Sequence, residues 1–90
     1  MAEIRKRASA GTTESSDVYV EIAPCEGGIR LRLESVVEEQ FGDAIRAAVE
    51  EQLAALGVTA AEVRIVDRGA LDCVLRARVE TAVRRGKGEQ

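Results

Sequence analysis

Ninety residues, 46% hydrophobic and 32% charged, are enough for one globular domain with a single modest core, and they exclude global disorder or a second domain. The net charge of -3, with one Phe, one Tyr and no Trp, excludes a nucleic-acid interface, which needs a clustered basic face and aromatic stacking platforms. No apolar run approaches the ~20 residues that cross a bilayer, and Met1 to Arg7 lacks the apolar stretch of a secretory signal, so the expected location is the cytoplasm.

Residues 1–16 are small and polar and show no apolar periodicity. They read as a flexible arm ending in Ala10-Gly11-Thr12-Thr13-Glu14-Ser15-Ser16-Asp17, with Arg5-Lys6-Arg7 solvated. Val18, Val20 and Ile22 alternate with Tyr19 and Glu21, the period of a strand with one buried face. Pro24 to Gly28 is a turn in which Gly27 and Gly28 supply positive φ. Ile29, Leu31 and Leu33 alternate with Arg30 and Arg32, and the two strands read as a β-hairpin.

Ser35 with Glu38 three residues on matches a capping box, so a helix is expected from Ser35. Its apolar stripe is Val37, Phe41, Ile45, Val49, Leu53 and Leu56, and Gly57 ends it with Val58 folding back. Val63 and Ile65, alternating with Glu62 and Arg64, give a third strand, and Asp67-Arg68-Gly69 a turn. A second helix carries Leu71, Val74, Leu75, Val79 and Ala82, with Arg84 and Arg85 at its C-terminal end, where the helix dipole favours positive charge. The expected fold is an α+β two-layer sandwich in the order β-β-α-β-α, a small sheet with both helices on one face. Residues 17–86 form the single domain and 87–90 a frayed tail.

Catalysis by this chain is not expected. It has no histidine to serve as general base. Cys25 sits beside Glu26, which disfavours a thiolate, and Cys73 among Leu71, Val74 and Leu75 reads as a core residue. Two distant cysteines without histidine make no zinc site, the acidic residues lack calcium-loop spacing, and both thiols should be reduced. The residues left with chemical interest are hydroxyls. Ser35 has a helix-capping explanation. Ser15 and Ser16 sit on a small-residue segment just before the first strand, which by residue type alone is a polar loop.

Three blocks carry a resemblance. Ala10-Gly11-Thr12-Thr13-Glu14-Ser15-Ser16-Asp17 resembles the Ala-Gly-Thr-Leu-Glu-Ser-Gly/Ser-Asp motif of citrate lyase acyl carrier proteins (the gamma subunit), with Thr13 at the Leu position. Ser35 to Arg46 is similar to the family's Ser-Val-Glu-Lys-Gln-Phe-Gly helix. Val66 to Arg78 is similar to its Asp-Lys-Gly-Ala-Leu-Asp-Cys segment, with Arg68 replacing Lys. The blocks span nearly the whole chain in the family's order.

The resemblance implies a non-catalytic carrier whose Ser15 bears phosphoribosyl-dephospho-CoA through a phosphodiester, with Ser16 the less favoured acceptor. It further implies that Glu14 and Asp17 flank the site for recognition by an attaching transferase. The implied partners are the alpha (acyl transferase) and beta (citryl lyase) subunits of citrate lyase. Arg68, Arg76 and Arg78 read as exposed helix charge. The alternatives are the carrier subunit of malonate decarboxylase, which uses a similar prosthetic group, and an unmodified assembly adaptor.

Overall fold

The computed structural model describes residues 3–88. The elements are β1 (Ala8–Gly11), β2 (Val18–Ala23), β3 (Ile29–Ser35), α1 (Glu38–Ala55), β4 (Ala61–Asp67) and α2 (Asp72–Gly86). They form a two-layer α+β sandwich, as the periodicities lead one to expect, with one more strand than the sequence reading gives.

The sheet order is β1-β2-β4-β3. β2 lies antiparallel to both β1 and β4, whereas β3 runs parallel to β4, joined to it by the α1 crossover. The expected β2–β3 hairpin is therefore corrected: β4 lies between the two strands, pairing Ile22 with Val63 on one side and Leu31 with Val63 on the other. Burial explains the arrangement. Ala61, Val63 and Ile65 are wholly buried, and a central strand keeps that face under both helices. β3, whose side chains are all half-buried or exposed, takes the edge. Gly27 and Gly28 do adopt positive φ, but the turn they make leads to a strand one position away rather than to the neighbour.

An arm without secondary structure over residues 1–16 is also corrected. Ala8 and Ala10 pair with Ile22 and Val20 as β1, and Ile4 is buried against the C-terminal end of α2. The Gly86 carbonyl accepts bonds from the Arg5 and Lys6 amides, so the basic run is anchored through its backbone although its side chains are exposed. Ala10 is 3% exposed. Its small side chain lets α2 lie close over β1, and the low strand propensity of alanine and glycine hides the strand from periodicity.

The core lies between the sheet and the helices: Val18, Val20 and Ile22 of β2, Val49 and Leu53 of α1, and Leu75, Val79 and Val83 of α2 form one buried cluster. Helix α1 ends as expected. Gly57 has φ 77°, its amide donates to the Ala54 carbonyl, and the Val58 amide donates to the Leu53 carbonyl. Its start is corrected. Ser35 closes β3, the N-cap is Val37 without a side-chain cap, and no capping box forms. Phe41 of the predicted stripe is 52% exposed, and Cys73, expected in the core, is exposed. Cys25 is half-buried and also a free thiol. Of the expected frayed tail, Lys87 donates its amide to Val83 and its Nζ to the Leu56 carbonyl, and residues 89 and 90 lie outside the described residues.

Candidate functional site

Ser15 stands in the loop that joins β1 to β2, and its elements explain why that loop is braced. Gly11 must have φ 89°. A Cβ there would lie 1.9 Å from the Val18 carbonyl oxygen, so only glycine lets the chain leave β1 this close to the start of β2. Thr12 then donates from Oγ1 to Asp17 Oδ2 at 2.7 Å across the base of the loop, and the Glu14 amide donates back to Thr12 Oγ1 at 3.2 Å. The Asp17 amide donates to the Glu14 carbonyl at 3.1 Å, which closes the turn.

Asp17 is the hub. Its carboxylate accepts from Thr12, from the Val18 amide at 2.7 Å, and from Arg78 Nε and Nη2, each at 3.2 Å. Hydrogen bonding to the charged form, from Thr12 first, then Val18 and Arg78, lowers its pKa to about 2. The Arg78 guanidinium thus ties the loop to the middle of α2. A second tie runs through Arg68, whose amide donates to the Asp17 carbonyl and whose carbonyl accepts from the Ser16 amide, both at 2.9 Å. These bonds hold Ser16 at φ 66°, a left-handed conformation costly for a residue with a Cβ.

Within this frame Ser15 is exposed, and among the described residues its hydroxyl makes no hydrogen bond. No histidine exists in the chain to deprotonate it. The geometry therefore leaves a primary hydroxyl open to solvent. Among the described residues no group of three or more Cys, Asp or Glu could hold a metal ion.

The other singled-out residues fall on two sides. Asp17 braces the loop instead of standing free beside Ser15, and Glu14 keeps an exposed side chain. Of the three arginines read as solvated charge, two are engaged. Arg78 holds Asp17. Arg76 bonds Asp72 at 2.7 Å and Glu51 at 2.9 Å, Asp72 more than Glu51 pushing its pKa up. Arg68 is exposed, with no side-chain partner among the described residues.

Sequence reasoning missed Asp67. This carboxylate is 4% exposed, accepts from Ser35 Oγ at 2.8 Å and from the Ala70 amide at 3.1 Å, and so joins the end of β3 to the loop after β4. Ser35 Oγ also accepts from the Val37 amide at 3.1 Å. The signal available was the pairing of an aspartate at a strand end with a serine at the end of another, which is unreadable without knowing that the strands are neighbours. Both strand ends, the starts of both helices and the Ser15 loop therefore meet at one end of the molecule.

A family model described as acyl carrier protein, malonate decarboxylase delta subunit (MdcD), matches residues 5–86. The citrate lyase acyl carrier protein of Escherichia fergusonii is 62% identical over 84 residues, 92% of this chain and 87% of that one. The Haemophilus influenzae citrate lyase acyl carrier protein is 52% identical, over 97% of this chain and 90% of its own. One solved structure, a Pseudomonas malonate decarboxylase hetero-tetramer in complex with malonate, contains a chain that superposes with a TM-score of 0.79 at 24% identity, covering 90% of this chain and 84% of that one, which shows the shared fold. The expectation raised by the three sequence blocks is met over almost the full length, and the chain belongs to the family of citrate lyase acyl carrier proteins, non-catalytic carrier subunits.

Proposed function

We propose that Ser15 is the covalent attachment point of phosphoribosyl-dephospho-CoA, joined through a phosphodiester, in a carrier subunit of citrate lyase. The observation that carries this reading is the Ser15 hydroxyl itself, exposed and without a hydrogen bond among the described residues, in a loop that Asp17, Arg78 and the Arg68 backbone hold in one shape. The residues present fit the group: an exposed hydroxyl to form the ester, in a loop whose backbone is bonded to that of Arg68. Ser16 is the weaker acceptor, because its amide is bound to Arg68 and its backbone is already strained.

When bound, the group supplies a terminal thiol that holds acetyl and citryl thioesters while citrate is cleaved to acetate and oxaloacetate. The chain contributes tethering. One carrier serving an acyl-transferase alpha subunit and a citryl-lyase beta subunit makes each encounter intramolecular, at an effective concentration of order millimolar. A third partner, the attaching transferase, must reach Ser15 and leave the fold intact, which an exposed loop on a rigid frame permits. The free thiols Cys25 and Cys73 suit a reducing cytoplasm.

Coexpression with the attaching enzyme and the lyase partners tests the reading. Intact mass should rise by one cofactor, peptide mapping across residues 8–30 should locate it on Ser15, and Ser15→Ala should abolish both the adduct and citrate cleavage. An adduct on another residue, or full activity in Ser15→Ala, overturns it. The carrier of malonate decarboxylase remains the second reading, favoured by the family model and the shared fold. The identity of the accumulating acyl thioester separates the two, and the acetyl and citryl forms are expected here.

A further inference from the structure

Ser15 and Ser16 carry the same hydroxyl, both are exposed, and both occupy the central positions of the turn that the Asp17 amide closes on the Glu14 carbonyl. Their backbones differ. Ser16 has φ 66° and is the one non-glycine residue with positive φ among the described residues. The third place of such a turn is where glycine or asparagine normally supplies that conformation. A serine there returns to negative φ unless its surroundings prevent it. That return would rotate the peptide between the two serines and re-aim the Ser15 side chain. The presentation of Ser15 therefore depends on whatever keeps Ser16 left-handed.

Three residues do so. Arg68 binds through its backbone, accepting from the Ser16 amide and donating to the Asp17 carbonyl, both at 2.9 Å. Thr12 Oγ1 donates to Asp17 Oδ2 at 2.7 Å. Thr12 and Arg68 themselves stand in loops. Arg78 differs, because α2 carries it, next to the buried Val79. Its Nε and Nη2 donate to the two Asp17 carboxylate oxygens at 3.2 Å each, a two-pronged contact that fixes the plane of the carboxylate. Its Cδ also lies 3.2 Å from the place a Cβ on Gly11 would take. One side chain from a packed helix thus touches the start of the loop with its stem and the end of it with its charge.

We propose that Arg78 is a positioning residue for the attachment reaction: acting through Asp17, it holds Ser16 left-handed and so keeps the turn in the form whose Ser15 hydroxyl the attaching transferase receives. This inference rests on the attachment proposed above. In the step it serves, a bond forms between Ser15 Oγ and a phosphorus of an activated phosphoryl donor, the donor's leaving group departs, and the hydroxyl proton is lost. Arg78 takes no part in that exchange. It sets the fraction of carrier molecules that are ready for it, so the transferase reads a shape that residues 10–17 hold only with α2 packed beside them.

The test is the initial rate of cofactor attachment to the full apo chain, with carrier concentration varied and the adduct located by peptide mapping. A non-glycine residue left to itself adopts positive φ only rarely, and a carrier ready for a small fraction of the time binds the transferase more weakly in proportion. Arg78→Gln, with the Thr12 and Arg68 contacts still in place, should raise KM for the carrier roughly tenfold and leave kcat at the wild-type value. Ser16→Gly should cancel that effect. Glycine takes positive φ about as readily as negative, so the double variant should have a KM within about twofold of Ser16→Gly alone. A residue that merely supports the fold, or one that touches the transferase, would raise KM equally in both backgrounds. Arg78→Lys keeps the stem and the charge without the fork, which guards against a folding defect in Arg78→Gln, and its smaller rise in KM should be cancelled in the same way. An unchanged KM in both Arg78 variants, a loss confined to kcat, or a rise in KM that survives Ser16→Gly would overturn the inference while leaving the attachment standing. A wild-type preparation with no adduct on Ser15 would overturn both.

Discussion

Gly11→Ala is the sharpest test of how the Ser15 loop is built. Two costs act at this position. An L-residue at φ 89° sits in the left-handed region, at about 1–2 kcal/mol. The new methyl would also lie 1.9 Å from the Val18 carbonyl oxygen, a backbone atom that cannot rotate away. Relief therefore requires β1 to shift from β2, which breaks the Gly11–Tyr19 end of the ladder and displaces the Thr12–Asp17 bond. A further loss of about 1–3 kcal/mol is expected from the freed hydrogen-bonding groups. The total, about 2–5 kcal/mol, corresponds to a fall in melting temperature of roughly 8–40 °C for a domain of this size at about 4–8 °C per kcal/mol. Gly27→Ala is the control. Its φ of 86° is nearly the same, but nothing lies within 4 Å of its added methyl, so it should lose only the conformational part, about 1–2 kcal/mol. Thermal unfolding followed by far-ultraviolet circular dichroism, with the initial rate of Ser15 modification by the attaching enzyme measured below the transition, reads both consequences. Equal destabilisation of the two variants, or wild-type modification of Ser15 in Gly11→Ala, would refute the claim that close backbone approach at Gly11 shapes the loop.

Three other outcomes follow from the same geometry. Asp17 has a folded pKa of about 2, below its ordinary 3.8, so the stability its charge contributes is complete above pH 4 and is lost as the pH falls from about 4 towards 2; the Ser16 and Val18 amide resonances should lose dispersion over that window in the wild type and be pH-independent there in Asp17→Asn. Ser35→Ala removes one of the donors to the buried Asp67 carboxylate and should cost about 1–3 kcal/mol in urea unfolding, whereas a true capping serine would leave Asp67 untouched. Leu71→Ser installs a side-chain cap where α2 has none and should stabilise the apo protein by about 0.5–1 kcal/mol in the same assay, an outcome reversed if Leu71 is part of the core.

Much of this architecture is written in short-range patterns. The alternation of Val18, Val20 and Ile22, and of Val63 and Ile65, specifies strands with one buried face, because side chains of an extended chain point to opposite sides in turn. Gly57 followed by Val58 specifies the helix stop, because the left-handed residue and the back-folding hydrophobe are adjacent in sequence. The absence of histidine removes the side chain best suited to acid–base work near neutrality, and the ordered family blocks point to Ser15 as the hydroxyl to examine.

The strand partners were decided elsewhere. Hydrophobic alternation says that β2 and β3 each bury a face, but it carries no address, and the wholly buried Ala61, Val63 and Ile65 took the central place because only there are both edges of β4 paired under the helices. β1 escaped notice because alanine, serine and glycine have little strand preference of their own; Ala10 is a strand residue because α2 packs over it. The site divides in the same way. The hydroxyl proposed as the attachment point is a matter of residue type and order, readable along the chain. Its brace joins Asp17 to Arg78 across 61 positions, and Ser35 to Asp67 across 32. Contacts at such separations exist only once the sheet has brought its ends together, because the entropy of closing those loops is recovered by the common core and not by the bonds themselves.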